Sequence, residues 1–408
     1  MYKAFFAKKV FTGREVIPKG VVLIENDRIA GVGTAEEVAV PDGAEIVDCQ
    51  DRVITPGLID SHTHLTLSAQ IPNYAKAMQD SNNVLLLRGA NNMQTDLASG
   101  VTTMRILGEK AFIDVSLKEA TEKGIFPGPR LLISGKGIRS SFGHGIMASP
   151  YDGVDEVTKA VRINIHDAGA DQIKLFITGS QGEFKNFTFS AGRIVERNGM
   201  HSLFTRAEIQ AAVDTAHSVG KKVAAHCYGG TGLRQGVEAG IDTIEHGIYM
   251  DDEELELMIK HGTWLTLTSY AYLNDQRFIN RGTPELTKGF FQHRDYIREA
   301  YRKAVHSSLQ YGVGTDGQHG EIAFELETLV ELGVKPVIAL RAATSQAAKL
   351  CGVDDKVGAL QPGMLADLAV VNGDPTERIS DIRRIQAVYK GGQVAYEAAA
   401  DRHAVELV

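Results

Sequence analysis

The sequence predicts an α/β protein: a (β/α)8 TIM barrel joined to a small β-sandwich that both ends of the chain build. Eight short apolar runs alternate with longer amphipathic stretches over the middle of the chain, which is typical of strand-then-helix units. Both ends instead show short alternating runs broken by Gly, Asn and Asp, which favours strands and hairpins. We therefore expect the sandwich at residues 1–53 plus 358–408 and the barrel at 54–357.

The eight apolar runs are rich in Val, Ile and Thr, as strands are. They are VITPGLID, VTTMRIL, RLLISG, QIKLFIT, KVAAHCY, DTIEHG, TWLTLTS and YGVGTDG. Several of the intervening helical patterns end at glycine, a common helix terminator. A closed barrel would place its active site at the C-terminal ends of the strands. A doubly wound sheet, and two unrelated terminal flaps in place of a sandwich, are the alternatives.

Composition narrows the function classes. The 408 residues include 43 basic and 51 acidic side chains, a net charge of −8, which offers no electrostatic case for a nucleic-acid or anionic-membrane partner. Three scattered cysteines are typical of a reducing compartment. The first residues lack the apolar region of a secretory signal, and we find no run of the ~20 apolar residues that span a membrane. We expect a cytoplasmic protein that acts on a small molecule.

Two histidines end the first apolar run, in the stretch ITPGLIDSHTHLTL. His62 and His64 are two residues apart, so on a strand their imidazoles point the same way. In isolation such a pair is weak evidence, because structural histidines at strand ends are common. Its interpretation depends on whether other strands supply further ligands.

Further polar side chains occupy corresponding places on other strands. They are Lys174, His226, His246 and Asp316. The two histidines and the aspartate lie at or just past the C-terminal end of a strand, whereas Lys174 lies within one. Unpartnered polar groups at those positions would cost free energy, so a shared metal ion explains the set better than separate structural roles. Imidazole and carboxylate groups suit Zn²⁺, and also Mn²⁺ or Co²⁺. His319 is a weaker candidate.

Taken together, the motifs PGLIDSHTH, QIKLFITG, AAHCYGG, IEHG, GTDG and GALQPGMLADLAVV resemble the amidohydrolase superfamily, in order and over nearly the whole chain. GPRLLISG, GHG, GADQIK and TIEHG are similar to its Xaa-Pro dipeptidase and Xaa-Arg/Lys carboxypeptidase-like group, which is related to imidazolonepropionase. The resemblance implies two divalent metal ions, most simply zinc, and a bridging hydroxide that hydrolyses an amide bond in a dipeptide or N-acyl amino acid. Barrels of this family commonly form homo-oligomers.

Site residues follow from the resemblance by position. His62, His64 and Asp316 would hold the more buried ion, and His226 and His246 the more exposed one. Lys174 would bridge both as a CO₂-derived carbamate, since an ammonium group has no acceptor. Without the resemblance, a lysine paired with Asp171 or Glu183 would be favoured.

Other side chains are candidates for catalysis and substrate binding. Asp316 would move the proton, His144 would polarise the substrate carbonyl, and Tyr228 would contact the substrate carboxylate or the intermediate. Charge and placement alone suggest Arg139, Ser140 and Arg193 as carboxylate-binding residues, and the segment 180–202 as a substrate loop.

Three alternative functions remain. Hydrolases of aryl amides, carbamates, ureas or cyclic amides would use the same metal ligands. A mononuclear deaminase would need a glutamate shortly after the fifth-strand histidine, where Gly229 and Gly230 stand. An inert scaffold relative would have lost ligands, whereas every ligand position here is filled.

Overall fold

The protein is an α/β structure with parallel sheets, as predicted. The computed structural model describes residues 1–68, 71, 74–145, 147–179, 189–190, 193–194, 200–275 and 284–398. The strands are β1 (Tyr2–Phe11), β2 (Val16–Pro18), β3 (Gly20–Glu25), β4 (Arg28–Thr34), β5 (Glu45–Pro56), β6 (Leu58–Thr63), β7 (Val101–Ile106), β8 (Arg130–Leu132), β9 (Ile138–Arg139), β10 (Ser149–Pro150), β11 (Gln172–Phe176), β12 (Phe189–Ser190), β13 (Arg193–Ile194), β14 (Lys222–Cys227), β15 (Thr243–His246), β16 (Trp264–Leu267), β17 (Tyr311–Val313), β18 (Leu368–Val371), β19 (Ile385–Lys390) and β20 (Gln393–Glu397).

Helices follow most strands of the middle region. They are α1 (Tyr74–Ala77), α2 (Asn82–Ala98), α3 (Ile113–Glu122), α4 (Val154–Arg162), α5 (Arg206–His217), α6 (Gly230–Ala239), α7 (Asp252–His261), α8 (Ser269–Leu273), α9 (Pro284–His306), α10 (Ile322–Glu331), α11 (Pro336–Ala342) and α12 (Ser345–Cys351). Helix α7 shows why these segments are helical: Asp251 and Glu254 form a capping box at its start, and Gly262 ends it in the left-handed conformation. None of the described helices is long and apolar enough to cross a membrane.

All eight predicted runs contain a strand, but the described strands form two parallel sheets and not one closed ring. One sheet has the order β6-β7-β8, and the other β10-β9-β11-β14-β15-β16-β17. Backbone hydrogen bonds connect the two sheets at two places: Asp316 N donates to His62 O (2.8 Å), and Asp171 N (2.8 Å) and Gln172 N (3.4 Å) donate to Ile133 O. Strands β8 and β17, which lie beside these connections, have only three residues each.

Both ends of the chain contribute to one further, mixed sheet. Its order is β20-β19-β18-β5-β1-β3-β4, with β2 beside β1, so β18 from the C-terminal region pairs with β5 from the N-terminal region. Strand β5 continues to Pro56, three residues beyond the predicted boundary at 53. A separate apolar cluster that includes Phe5, Val22 and Ile54 packs on this sheet. The two ends are therefore parts of one unit and not unrelated flaps.

Candidate active site

The predicted metal ligands lie at or near the C-terminal ends of the parallel strands. His62 is in β6 and Lys174 in β11, and both are fully buried; His226 is in β14 and His246 ends β15, and both are almost fully buried. Because neighbouring parallel strands end at the same edge, side chains from distant parts of the sequence converge there.

One group of three has the spacing of a metal site. Single donor atoms of His62, His64 and Asp316 all lie within 4.8 Å of one another. The Oδ1 atom of Asp316 is 3.5 Å from His62 Nε2 and 3.4 Å from His64 Nε2. Two imidazoles and a carboxylate therefore face a common point.

The other two histidines lie beside this group. The ring centroids of His62 and His246 are 4.8 Å apart, and those of His226 and His246 are 4.6 Å apart. The Nζ atom of Lys174 lies 5.0 Å from the ring centroid of Phe176, whose ring stacks on His226 with centroids 5.6 Å apart. The structure thus brings five of the six predicted ligands into direct or ring-to-ring contact and places the lysine next to them.

Each histidine uses one ring nitrogen in a hydrogen bond within the fold. The Nδ1 atom of His62 lies 2.7 Å from Glu245 Oε2, that of His64 lies 3.0 Å from Gly108 O, and that of His246 lies 2.8 Å from Thr268 Oγ1. These bonds orient each ring and leave its Nε2 available as a ligand atom. His226 differs, because its Nε2 lies 3.3 Å from Gly179 O.

Electrostatics favour the charge states that metal binding needs. Burial lowers the pKa of His226 and of His246 well below the usual value, so both imidazoles are neutral. Burial would raise the pKa of Asp316, but the adjacent side chains of His62 and His64 outweigh it and hold that pKa well below its usual value. Burial also lowers the pKa of Lys174 to about 8, which increases the fraction of neutral amine.

Two of the predicted ligands have strained backbones. His246 has a φ angle of 78° and Asp316 one of 52°, both in the left-handed region that non-glycine residues rarely adopt. Such conformations persist only when the surroundings impose them, and they cluster at functional sites. His246 ends β15, and Asp316 lies three residues past the end of β17.

The two other predicted catalytic residues border the histidine cluster. The ring of His144 lies 4.4 Å from that of His226 between centroids, and burial lowers its pKa to about 4. The ring of Tyr228 lies 4.6 Å from that of His226, and its hydroxyl accepts a hydrogen bond from Tyr272 (3.0 Å). A neutral imidazole and a phenol hydroxyl therefore flank His226.

The remaining candidates have other surroundings. Arg139 donates to the carbonyls of Ser140 (3.1 Å) and Ala148 (3.4 Å), so it also supports the loop that carries His144. Ser140 is buried. His319 binds Asp96 (2.7 Å) and Leu67 O (3.0 Å) with its two ring nitrogens, so both are used away from the predicted ligand group. Most of the predicted loop 180–202, including the side chains of Arg193 and Glu183, lies outside the described residues.

Comparison with known proteins identifies the family. The model of the amidohydrolase family matches residues 53–395. The chain belongs to the amidohydrolase family. Ochratoxinase from Aspergillus niger is 27% identical over 382 residues, which cover 84% of this chain and 75% of that protein. The predicted resemblance is confirmed, and so is the predicted enzyme class, a hydrolase of amide bonds.

Two crystal structures are similar over almost the whole chain. A Xaa-Pro dipeptidase with methionine bound in its active site is 28% identical with a TM-score of 0.83, and covers 98% of this chain and 100% of its own. A prolidase in complex with N-methylphosphonate-L-proline is 26% identical with a TM-score of 0.84, over the same shares of the two chains.

Two buried atoms of this amidohydrolase bear on whether the predicted site fits a metal ion. His62 Nε2 and Lys174 Nζ are buried and form no hydrogen bond to any described residue. An imidazole nitrogen in that state suits a metal ion, whereas a lysine amine needs conversion to an anionic group before it can ligate. The alternative pairing of Lys174 with Asp171 is wrong, because Asp171 binds Lys118 (2.7 Å).

Two residues behind the ligands were missed by the sequence reasoning. Glu245 accepts from His62, and Arg105 Nη2 donates to Glu245 Oε1 (2.7 Å). Burial would raise the pKa of Glu245, but Arg105 and His62 hold it well below its usual value. The available signal was a charged residue within each apolar run, VTTMRIL and DTIEHG.

Proposed function

We propose that this amidohydrolase is a binuclear metal enzyme that hydrolyses the amide bond of a dipeptide, of the Xaa-Pro or Xaa-Arg/Lys type, or of an N-acyl amino acid. The observation that carries the proposal is the convergence of the buried His62 and His64 with the half-buried Asp316, beside two further histidines and a buried lysine that has no hydrogen bond to a described residue. The metal dependence typical of the family supports it.

The proposed fold extends the two observed parallel sheets into one barrel. The bonds from Asp316 N to His62 O and from Asp171 N to Ile133 O bring β17 to β6 and β8 to β11. They would complete a ring of the eight strands that the predicted runs contain: β6, β7, β8, β11, β14, β15, β16 and β17. The mixed sheet of the chain ends would form the sandwich, with domains at 1–53 plus 358–408 and at 54–357.

We assign the ligands to two ions. His62, His64 and Asp316 would hold one ion, zinc being the first choice, and His226 with His246 would hold the second. Lys174 would bridge the two as a carbamate: its neutral amine attacks CO₂, forms an N–C bond and loses a proton, which gives an anionic oxygen ligand. The lowered pKa of Lys174, about 8, favours the reactive amine.

The protein residues would then divide the work of amide hydrolysis. Bound divalent ions supply a water molecule of lowered pKa as the nucleophile. The Asp316 carboxylate lies next to His62 and His64 and can accept the proton of that water and deliver it to the leaving nitrogen. His144, neutral near pH 7, would donate a hydrogen bond to the substrate carbonyl oxygen. Tyr228 would contact the substrate carboxylate or the tetrahedral intermediate.

The preference for dipeptides rests on the relatives. The Xaa-Pro dipeptidase and the prolidase both cover nearly the whole chain. A second substrate class, aryl amides and related carbamates, ureas or cyclic amides, is favoured by aromatic side chains next to the ligands. The ring of Tyr272 lies 5.5 Å from that of His246, and Tyr228 lies 6.2 Å from Tyr249, between centroids.

Product release from compound libraries tests the proposal. Zinc-loaded protein in bicarbonate is incubated with pooled Xaa-Pro, Xaa-Arg/Lys and N-acyl amino acid libraries and with aryl amides, and products are separated by chromatography. We expect amino-acid release that Lys174→Ala abolishes. Lys118→Ala is the matched control, because Lys118 pairs with Asp171 away from the ligands and should leave release unchanged. Release of aryl amines alone would move the assignment to the second class, and no release from zinc-loaded protein would contradict the hydrolysis of all the tested classes.

A further inference from the structure

A buried chain of hydrogen bonds extends from His62 away from the ligand group. Its Nδ1 atom lies 2.7 Å from Glu245 Oε2, and the other oxygen of Glu245 accepts from Arg105 Nη2 at 2.7 Å. His62 and Glu245 are fully buried, and Arg105 is 2% exposed. The three groups are therefore shielded from water, so water does not compete for the hydrogen bonds between them.

The chemistry of the carboxylate fixes where His62 carries its proton. A glutamate that binds an arginine is an acceptor only, so His62 Nδ1 must be the donor in their hydrogen bond. In a neutral imidazole, the other nitrogen then holds the lone pair. That atom, Nε2, is the one that faces Asp316 and lacks a hydrogen bond to any described residue.

Arg105 holds the glutamate from several sides. Besides Glu245, its guanidinium donates to Thr266 Oγ1 (3.1 Å), Thr243 Oγ1 (3.2 Å) and the carbonyl of Ser61, which precedes His62. These partners lie on β6, β15 and β16, in both parallel sheets. Arg105 thus ties the orientation of Glu245 to the strands that carry His62 and His246.

We infer that Glu245 and Arg105 are positioning residues that lock His62 in the tautomer with a bare Nε2, and thereby set the metal affinity of the His62–His64–Asp316 group. This inference rests on the metal site proposed above and adds residues to it. Partners of metal-binding histidines typically contribute ~10–100-fold to metal affinity.

Glu245→Gln is the most direct test, because an amide is nearly isosteric but presents both a donor and an acceptor. If its oxygen faces Arg105, its NH₂ group faces His62 Nδ1 and favours the tautomer with a proton on Nε2. We expect the apparent zinc dissociation constant of the full chain, measured by competition with a fluorescent chelator, to rise ~10–100-fold. Arg105→Lys should change it in the same direction.

Glu254→Gln is the matched control. Glu254 is also a fully buried glutamate beside an arginine, Arg234 (3.2 Å), but it forms the capping box at the start of α7 with Asp251. Its substitution should leave zinc affinity unchanged. Circular dichroism of the metal-free proteins separates a loss of fold from a loss of affinity.

Nitrogen-15 NMR of histidine-labelled, metal-free wild-type protein supplies a readout that does not depend on a variant's folding. We expect the His62 signal, assigned by its absence in His62→Gln, to show a protonated Nδ1 and a bare Nε2. The opposite tautomer would overturn the inference, and so would unchanged zinc affinity in folded Glu245→Gln. A wild-type chain that binds no zinc would instead contradict the proposed metal site, and the inference with it.

Discussion

A close contact between β17 and β6 determines how the ligand group is assembled, and Gly314→Ala probes it. Gly314 follows β17, and a Cβ atom added there would lie 2.5 Å from the backbone N and 2.7 Å from the backbone O of His62. Ordinary contacts are 3.4–4 Å, so the strands would have to separate by about 1 Å. Backbone atoms cannot rotate away as a flexible side chain could.

The separation should affect both stability and catalysis. Overpacking of this kind costs about 1–3 kcal/mol in the free energy of unfolding. The backbone bond from Asp316 N to His62 O (2.8 Å) crosses the same contact, so Asp316 would move relative to the histidines. A misplacement of about 1 Å can reduce catalysis by ~10²-fold, which is the loss of kcat/KM that we expect.

Denaturant unfolding and steady-state kinetics on a substrate found in the library screen measure the two effects. Gly31→Ala is the control, because its Cβ would meet only side-chain atoms, with a Val38 methyl at 3.3 Å, in the sheet of the chain ends. That variant should keep wild-type kcat/KM. Wild-type stability and kcat/KM in Gly314→Ala would refute the argument that this contact sets the geometry of the ligands.

Four further outcomes follow from the same structure. Chelation should abolish hydrolysis, and zinc with bicarbonate should restore it, as followed by activity and metal analysis. His144→Asn should lower kcat/KM by ~10²-fold. Because the pKa of His144 is about 4, His144 does not titrate between pH 5 and 8, and the pH profiles of kcat/KM for the wild type and this variant should have the same shape in that range. Burial raises the pKa of Glu325 from 4.5 to about 8. The protonated carboxyl group therefore contributes its full stabilisation below pH 4.5, and this contribution is lost as the pH rises towards 8. Glu325→Gln should flatten that decline, as measured by thermal unfolding at a series of pH values. Asp96→Asn should lower the free energy of unfolding by about 3–5 kcal/mol in denaturant titrations, because it leaves His319 buried without its charge partner.

The strands and the convergence of the ligands could be predicted because both depend on local patterns. An apolar run followed by a histidine indicates a strand end, and parallel strands place their ends at one edge whatever their order. His226 and His246 illustrate this: in the register of β14 and β15, His226 lies opposite Glu245 and His246 opposite Cys227. Neighbouring strands thus bring the two rings together although 19 residues separate them in the sequence.

The buried support of the site could not be predicted, because it depends on contacts between distant strands. Arg105 and Glu245 are 140 residues apart, and nothing near either one in sequence shows that they pair. Lys174 is a second example. The sequence offers Asp171 as its partner, but in the structure Asp171 pairs with Lys118, which is distant in the sequence.

Charge balance in the interior gives an independent reason to favour the carbamate on Lys174. The histidines with lowered pKa values carry no charge, and Arg105 and Glu245 neutralise each other. Of these ligands, Asp316 would then be the only anion facing two divalent ions, and a Lys174 ammonium would add a further positive charge to a buried region where uncompensated charge is costly. Conversion to a carbamate replaces that cation with an anion at the place where Nζ has no hydrogen bond to a described residue. The burial that makes Lys174 an unfavourable ammonium is therefore the same property that suits it to become a ligand.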